Sequence, residues 1–201
     1  LRVHPEERRD EVTVVVRKML AGEEKICHIP VKSRNGRLIP VETRVAPGLW
    51  SGSPAIFGIT RDMSERIAFE KKLHETGERL DLALKGANLG TWDWNIATGE
   101  VVFNERWAGM LGYSLTEVKP HISTWEKLVH PDDMTEIMAS LNKHLAGLTP
   151  LYRSEHRLKT KGGEWKWVLD TGKVFLRSDD GAPLRAVGTH LDITEIKNTE
   201  E

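Results

Sequence analysis

The chain carries the same phrase twice. GITRDMSERI at residues 58–67 returns as GTHLDITEIK at 188–197, so that Gly58 matches Gly188, Asp62 matches Asp192, Ser64 matches Thr194 and Glu65 matches Glu195, at an offset of 130 residues. VHPEE at residues 3–7 likewise returns as VHPDD at 129–133. Self-similarity over so long a period restricts the fold more than composition does, because both copies must close the same supersecondary unit. Between the two phrases the order of signals is kept. A helix-like stretch (RRDEVTVVVRKMLAG, then MTEIMASLNKHLAG) ends on Ala-Gly, where glycine suits the left-handed residue that stops a helix. A strand-like run then meets a two-residue turn signal, Asn35-Gly36 or Gly162-Gly163, and two last strands follow.

The copies are unequal. Residues 87–128 have no counterpart before residue 3. Within them, GTWDWNIATGEVVFNERWAGMLGYSLTEV predicts a hairpin of 91–95 and 101–104 around Ala97-Thr98-Gly99, then short helices holding Trp107, Met110 and Leu111. Trp92 and Trp94 alternate with Asp93 and Asn95, which puts both rings on one strand face. Between the copies, Met63–Lys85 is highly charged and free of proline. Phe69, Leu73, Thr76, Leu80 and Ala83 recur there at alternating spacings of four and three, a heptad seam. A dimerising linker fits that pattern, and so does a helix packing one face on its own domain.

Composition narrows the function classes. Of 201 residues, 39% are apolar and 29% charged, with a net charge of −1 and basic residues interleaved with acidic ones, so no nucleic-acid partner is expected. No apolar run approaches the roughly 20 residues a membrane helix needs, so no membrane contact is expected within the chain, which leaves room for a membrane-anchored parent; the low cysteine content agrees with an expected cytoplasmic location. Cys27 is the only cysteine, which rules out an intrachain disulfide and a cysteine-based zinc site. The chain has no phosphate-binding glycine loop, no Gly-x-Ser-x-Gly turn and no His-Glu-x-x-His helix. No spacing of carboxylates singles out an acid/base pair, so a non-catalytic chain is expected. His28, His156 and His190 are of metal-ligating type, but no spacing brings them together. The chain opens on Leu1, which suggests a longer parent polypeptide.

ANLGTWDWN at 87–95, LGYS at 111–114, VHPDD at 129–133, GGEWKWV at 162–168 and GTHLDITE at 188–195 together resemble the PAS sensor family, in its subgroup with a tryptophan-rich first strand and a C-terminal PAC motif. The resemblance covers about residues 87–197 fully and 3–67 as the C-terminal half of a PAS domain. It implies an α+β fold, a five-stranded antiparallel sheet with helices on one face enclosing a small pocket. The expected boundaries are 1–62 for the first, partial PAS unit (a helix plus three strands), 63–86 for a helical linker, 87–195 for the complete PAS domain and 196–201 for the start of an outgoing helix. The partial unit lacks its first hairpin, so it is expected to be ordered by the linker helix or by another chain.

By the family pattern the pocket is lined by Trp94, Met110, Trp125, Ile137, Leu141, His156, Leu158, Trp167, Val187 and Thr189. That mix suits a small, partly apolar ligand with one or two polar handles, and equally a closed core. Asp62, Ser64 and Glu65, with Asp192, Thr194 and Glu195, sit where a strand becomes a helix. The aspartates are placed to cap, and Glu195 has capping-box spacing to Asp192. The resemblance makes this joint the route from sensor sheet to outgoing helix. Pro131 suits the first helical position, Asp132 and Asp133 the positive end of the dipole, and His130 either fixes the helix entry or acts in function.

No cofactor is expected. Flavin-binding light sensors of the family carry an Asn-Cys-Arg motif, whereas Cys27 lies in the other copy and another element. Haem-binding members use a histidine on the long helix, and His144 at its C-terminal end lacks a supporting motif. The function implied is a sensory module of a multidomain signalling protein, foremost a sensor histidine kinase, acting as a homodimer through the linker helix and PAS surfaces, with a small-molecule ligand. The alternatives are a ligand-free dimerisation and spacer module, or the input domain of a diguanylate cyclase.

Overall fold

The computed structural model describes residues 3–200 and divides into two compact units between Glu78 and Arg79. In the first, α1 (Arg9–Leu20) buries Val12 and Met19, seven residues apart on one face. It is followed by β1 (Ile26–Cys27), β2 (Val31–Lys32), β3 (Leu38–Ile39), β4 (Val41–Trp50) and β5 (Ser53–Asp62). The Asn35-Gly36 signal marks only a short pair, β2 with β3. The long hairpin is β4–β5, turned by Ser51 and Gly52 at φ +50° and +81°. Two successive left-handed residues match the twist of the strands they join. Strand order is β1-β4-β5, and among the described residues β5 pairs with β4 alone. Leu49, Trp50, Phe57 and Ile59 of this hairpin are exposed.

The helix α2 (Ser64–Gly86) runs through the division and buries none of its residues. The seam positions Phe69, Leu73 and Leu80 are 60–68% exposed, so no described part of the chain covers that stripe.

The second unit comprises β6 (Gly90–Asn95), β7 (Val101–Phe103), α3 (Glu105–Met110), α4 (Ile122–Leu128), α5 (Pro131–Leu145), β8 (Tyr152–Lys159), β9 (Trp165–Arg177), β10 (Pro183–Asp192) and α6 (Thr194–Glu200). The strands form one antiparallel sheet in the order β7-β6-β10-β9-β8, in which the first strand to enter pairs with the last. Helices α3, α4 and α5 cover its inner face over a core of Trp107, Leu111, Trp125, Ile137, Leu158 and Val168. Asn104 caps α3 by accepting from Trp107 N at 2.8 Å and also accepts from Thr91 N at 2.9 Å, tying the helix to β6.

The VHPDD phrase opens α5. Pro131 takes the first helical position and His130 is the cap, its Nδ1 accepting from Asp132 N at 3.2 Å. Asp133 receives Arg157 through N at 2.9 Å, Nε at 3.0 Å and Nη2 at 2.5 Å, which clamps α5 to β8. The Arg157 hydrogen bonds outweigh burial and hold the Asp133 carboxyl below its usual value. A carboxyl depressed in the folded state stabilises above its unfolded pKa of about 3.9 and loses that contribution as pH falls through the folded value. Asp133→Asn is therefore expected to destabilise by about 2 kcal/mol at neutral pH and to make acid unfolding below about pH 4 shallower. Urea melts of the two proteins at pH 7 and pH 3 check this.

The order β1-β4-β5 repeats β8-β9-β10, and the repeated phrase closes both. Met63 N donates to Pro40 O at 2.9 Å where Ile193 N donates to Trp167 O at 2.9 Å, and Ile67 N donates to Met63 O at 3.0 Å where Lys197 N donates to Ile193 O at 3.0 Å. Asp62 Oδ1 accepts from Ser64 N at 2.8 Å, and Asp192 Oδ1 from Thr194 N at 3.0 Å. The reciprocal half of the expected capping box is absent: neither Glu65 nor Glu195 reaches back to the cap among the described residues.

Candidate functional site

Inside the second unit, Trp92, Trp94, Val101, Phe103, Ile122 and Trp125, with Leu141, Tyr152, Asp170 and His190, line a cavity of about 30 Å³. That is room for one or two water-sized groups, so a bulky occupant requires the walls to move. Trp92 stands over β9 and β10 where Gly172 faces Gly188. A Cβ on Gly172 would lie 2.4 Å from the Trp92 ring, and one on Gly188 would lie 2.3 Å from both that ring and Thr171 O. The glycine that begins the repeated phrase in this unit is thus the floor beneath an indole.

A buried polar array backs the cavity. Trp92 Nε1 donates to Asp170 Oδ1 at 2.8 Å, and His190 Nε2 lies 3.0 Å from Asp170 Oδ2. Trp107 Nε1 donates to His190 Nδ1 at 2.9 Å, and Trp125 Nε1 to His156 Nε2 at 3.3 Å. Indole N–H groups only donate, so the acceptor nitrogens carry lone pairs. His190 then bears its proton on Nε2, toward Asp170, and His156 bears its own on Nδ1, 3.0 Å from Ser154 Oγ. Ser154 Oγ continues to Tyr152 OH at 2.8 Å.

Burial pushes the His156 pKa down to about 4; His190 adds to this and Asp170 opposes it. Burial, with Asp170 adding to it, raises that of Tyr152. Both groups are neutral at pH 7. Because the unfolded His156 binds a proton near 6.5 and the folded one does not, stability is complete above about 6.5 and falls between there and about 4, by up to about 3 kcal/mol. Urea midpoints taken from pH 7 to pH 4.5 should decline, and a flat profile would contradict the assignment.

His156, Asp170 and His190 offer ligand atoms within 4.8 Å of one another, the only such group among the described residues. Two imidazoles and a carboxylate are of metal-ligating type. The hydrogen bonds oppose that use: indole donors occupy one nitrogen of each imidazole, and the remaining nitrogens carry protons directed at Asp170 and Ser154. A metal ion needs those lone pairs free. All four imidazole nitrogens of the array are thus engaged in hydrogen bonds.

The outgoing joint adjoins this array. Two residues past His190, Asp192 receives Lys166 Nζ at 2.5 Å and Thr194 Oγ1 at 2.6 Å, and Thr194 Oγ1 accepts from Trp167 N at 3.1 Å. Burial pushes the Asp192 carboxyl up, but its bonds from Lys166 and Thr194 together prevail and hold it low. Lys197 reaches Glu155 at 2.7 Å and lies 5.5 Å from the Trp167 ring centre, which pins α6 to β8 and β9. At the first joint the hydroxyl of Ser64 is buried without a hydrogen-bond partner.

Comparison with known proteins fits this architecture. A family profile described as PAS fold matches residues 100–190. The crystal structure of a sensory box histidine kinase/response regulator from Burkholderia thailandensis is 34% identical, with a TM-score of 0.55, covering 61% of this chain and 89% of that one. The chain belongs to the PAS family. Among curated proteins, the PAS chain is 28% identical over 144 residues to the two-component sensor PprA of Pseudomonas aeruginosa, covering 69% of this chain and 15% of the relative. It is 23% identical over 194 residues to the probable diguanylate cyclase DgcE of Escherichia coli, covering 92% and 17%. The chain therefore spans a small part of these relatives, and its role is that of a sensory PAS module of signal-transduction proteins.

The PAS sheet sorts the residues expected in the pocket into three groups. Trp94, Trp125 and Leu141 line the cavity. Met110, Ile137, His156 and Leu158 are buried in the surrounding core. Trp167, Val187 and Thr189 lie on the opposite face. The register pairs His156 with Val168 and His190 with Asp170 on the inner face, which turns the neighbouring positions Trp167, Val187 and Thr189 outward. The expectation that no histidines come together also needs correcting, since the rings of His156 and His190 lie 5.8 Å apart. Asp170 is the site residue that sequence reasoning missed. Both ring nitrogens of His144 are engaged, Nδ1 with Thr149 at 2.9 Å and Nε2 accepting from Val174 N at 3.0 Å. Cys27 lies in the first unit, half-buried, its sulfur 3.4 Å from Ile29 N. No helix among the described residues is long and apolar enough to cross a membrane.

Proposed function

We propose that this chain is the non-catalytic input segment of a multidomain signalling protein, with a sensor histidine kinase as output, and that occupancy of the PAS cavity is passed to α6. One observation carries the reading: β9 and β10 supply Asp170 and His190 to the cavity on one face and, within four residues, hold α6 through Lys166, Trp167 and Asp192. A ligand that favours one of two sheet geometries shifts the joint with it. In the full-length parent, Asp192→Ala is expected to change output severalfold while the domain stays folded. Unchanged output with an intact far-UV spectrum would remove the joint from the signal path.

A second reading, a homodimerising spacer, draws on the uncovered stripe of α2. Leu73→Asp together with Leu80→Asp is expected to turn a sedimenting dimer into a monomer. A wild-type chain that is monomeric at micromolar concentration would sink this reading without touching the first.

A further inference from the structure

The charges around the PAS cavity do not balance. Asp170 is 3% exposed, and its partners are the N–H groups of Trp92 and His190 and the Tyr152 hydroxyl. His190 is not a counter-ion, because Trp107 donates to its Nδ1 and leaves the ring a single proton. No lysine or arginine lines the space; besides Asp170 and His190, its only titratable lining group is Tyr152, and His156 behind it is held between Trp125 and Ser154. Buried carboxylates are ordinarily paired with a cation. Five of the ten lining residues are aromatic: Trp92, Trp94, Phe103, Trp125 and Tyr152. Aromatic walls attract cations through their quadrupoles, most strongly where water is excluded.

We propose that this cavity binds a small ammonium cation, ammonium itself or methylammonium, as the counter-charge to Asp170. The inference rests on the reading of the cavity as the ligand site and names its ligand class. Size fits the class: a space of about 30 Å³ holds one or two water-sized groups, which is room for ammonium or methylammonium. Charge sets the sign, since an anion would face Asp170 without a compensating cation. Hydrogen bonding separates ammonium from a metal ion. Ammonium donates to the acceptor position that a carboxylate with three partners still offers, whereas a metal competes for imidazole lone pairs already taken.

The test uses the 201-residue chain, following the indole N–H resonances of its seven tryptophans by NMR. Methylammonium chloride is titrated against methanol, its neutral isostere, and against sodium chloride at equal ionic strength. Saturable shifts at Trp92, Trp94 and Trp125 are expected, with methylammonium at least tenfold tighter than methanol. Asp170→Asn should abolish that preference. If it does not fold, Trp94→Leu, which removes one aromatic wall, should weaken methylammonium severalfold more than methanol. Equal affinity for methylammonium and methanol would overturn the charge selection and leave the cavity as a binding site. Shifts reproduced by sodium chloride would reduce the effect to ionic strength and overturn the proposal. No saturable shift from any probe would overturn both the ammonium class and the ligand-sensing reading.

Discussion

Replacing Gly188 by alanine is expected to destabilise the PAS unit by about 3 kcal/mol, the upper range for forcing atoms into a packed interior. The added Cβ has nowhere to go: one neighbour at 2.3 Å is backbone, Thr171 O, and the other is the Trp92 ring, held by its bond to Asp170. Gly58→Ala, at the matching position of the first unit, meets Thr43 and Val45 side chains at 3.5 Å and Arg44 O at 3.8 Å, ordinary contact distances, and should cost less than about 1 kcal/mol. Denaturant melts of the two variants measure the difference directly. Adding Trp92→Leu to Gly188→Ala should recover only part of the loss, because the carbonyl contact remains. Similar midpoints for the two glycine variants would remove the steric account of the repeated phrase.

Trp107→Ala is expected to cost about 4 kcal/mol, as for other fully buried large-to-small changes. Trp107 is 0% exposed and stacks on Phe103 with ring centres 4.0 Å apart. Trp107→Phe separates the two contributions. It keeps most of the ring packing but leaves His190 Nδ1 buried without a donor, a loss of about 1–3 kcal/mol. If Trp107→Phe melts like the wild type, the indole bond to His190 contributes nothing and the buried array is less ordered than its geometry indicates. By contrast, Trp165→Ala on the solvent side of β9 should move the midpoint little.

The repeat, the first hairpin, the Pro131 helix start and the aspartate joint were all legible because each is a local rule written in adjacent residues. The face of β9 was not. Trp165, Trp167 and Leu169 form the heavy stripe of that strand, and heavy stripes ordinarily face a core. Here the inner stripe is Val168, Asp170, Gly172 and Val174, because the volume above it is supplied by Trp92 from β6 and Trp107 from α3. A strand beneath two indoles must be small, and that requirement comes from residues some 80 positions away. The pairing of Gly172 with Gly188 was the available signal. Had it set the inward parity, Asp170 and His190 would have followed at two-residue steps.

The two joints have a consequence for how such chains are assembled. Met63 and Ile193 make the same backbone bond to the preceding strand, and Asp62 and Asp192 fix the same first turn of the helix that leaves it. Each sheet therefore dispatches its helix with a common starting phase, set by a handful of residues that travel together in sequence. A sheet grafted together with its own glycine-to-aspartate phrase would therefore carry the first turn of its following helix with it, because the bonds that set that turn lie inside the phrase.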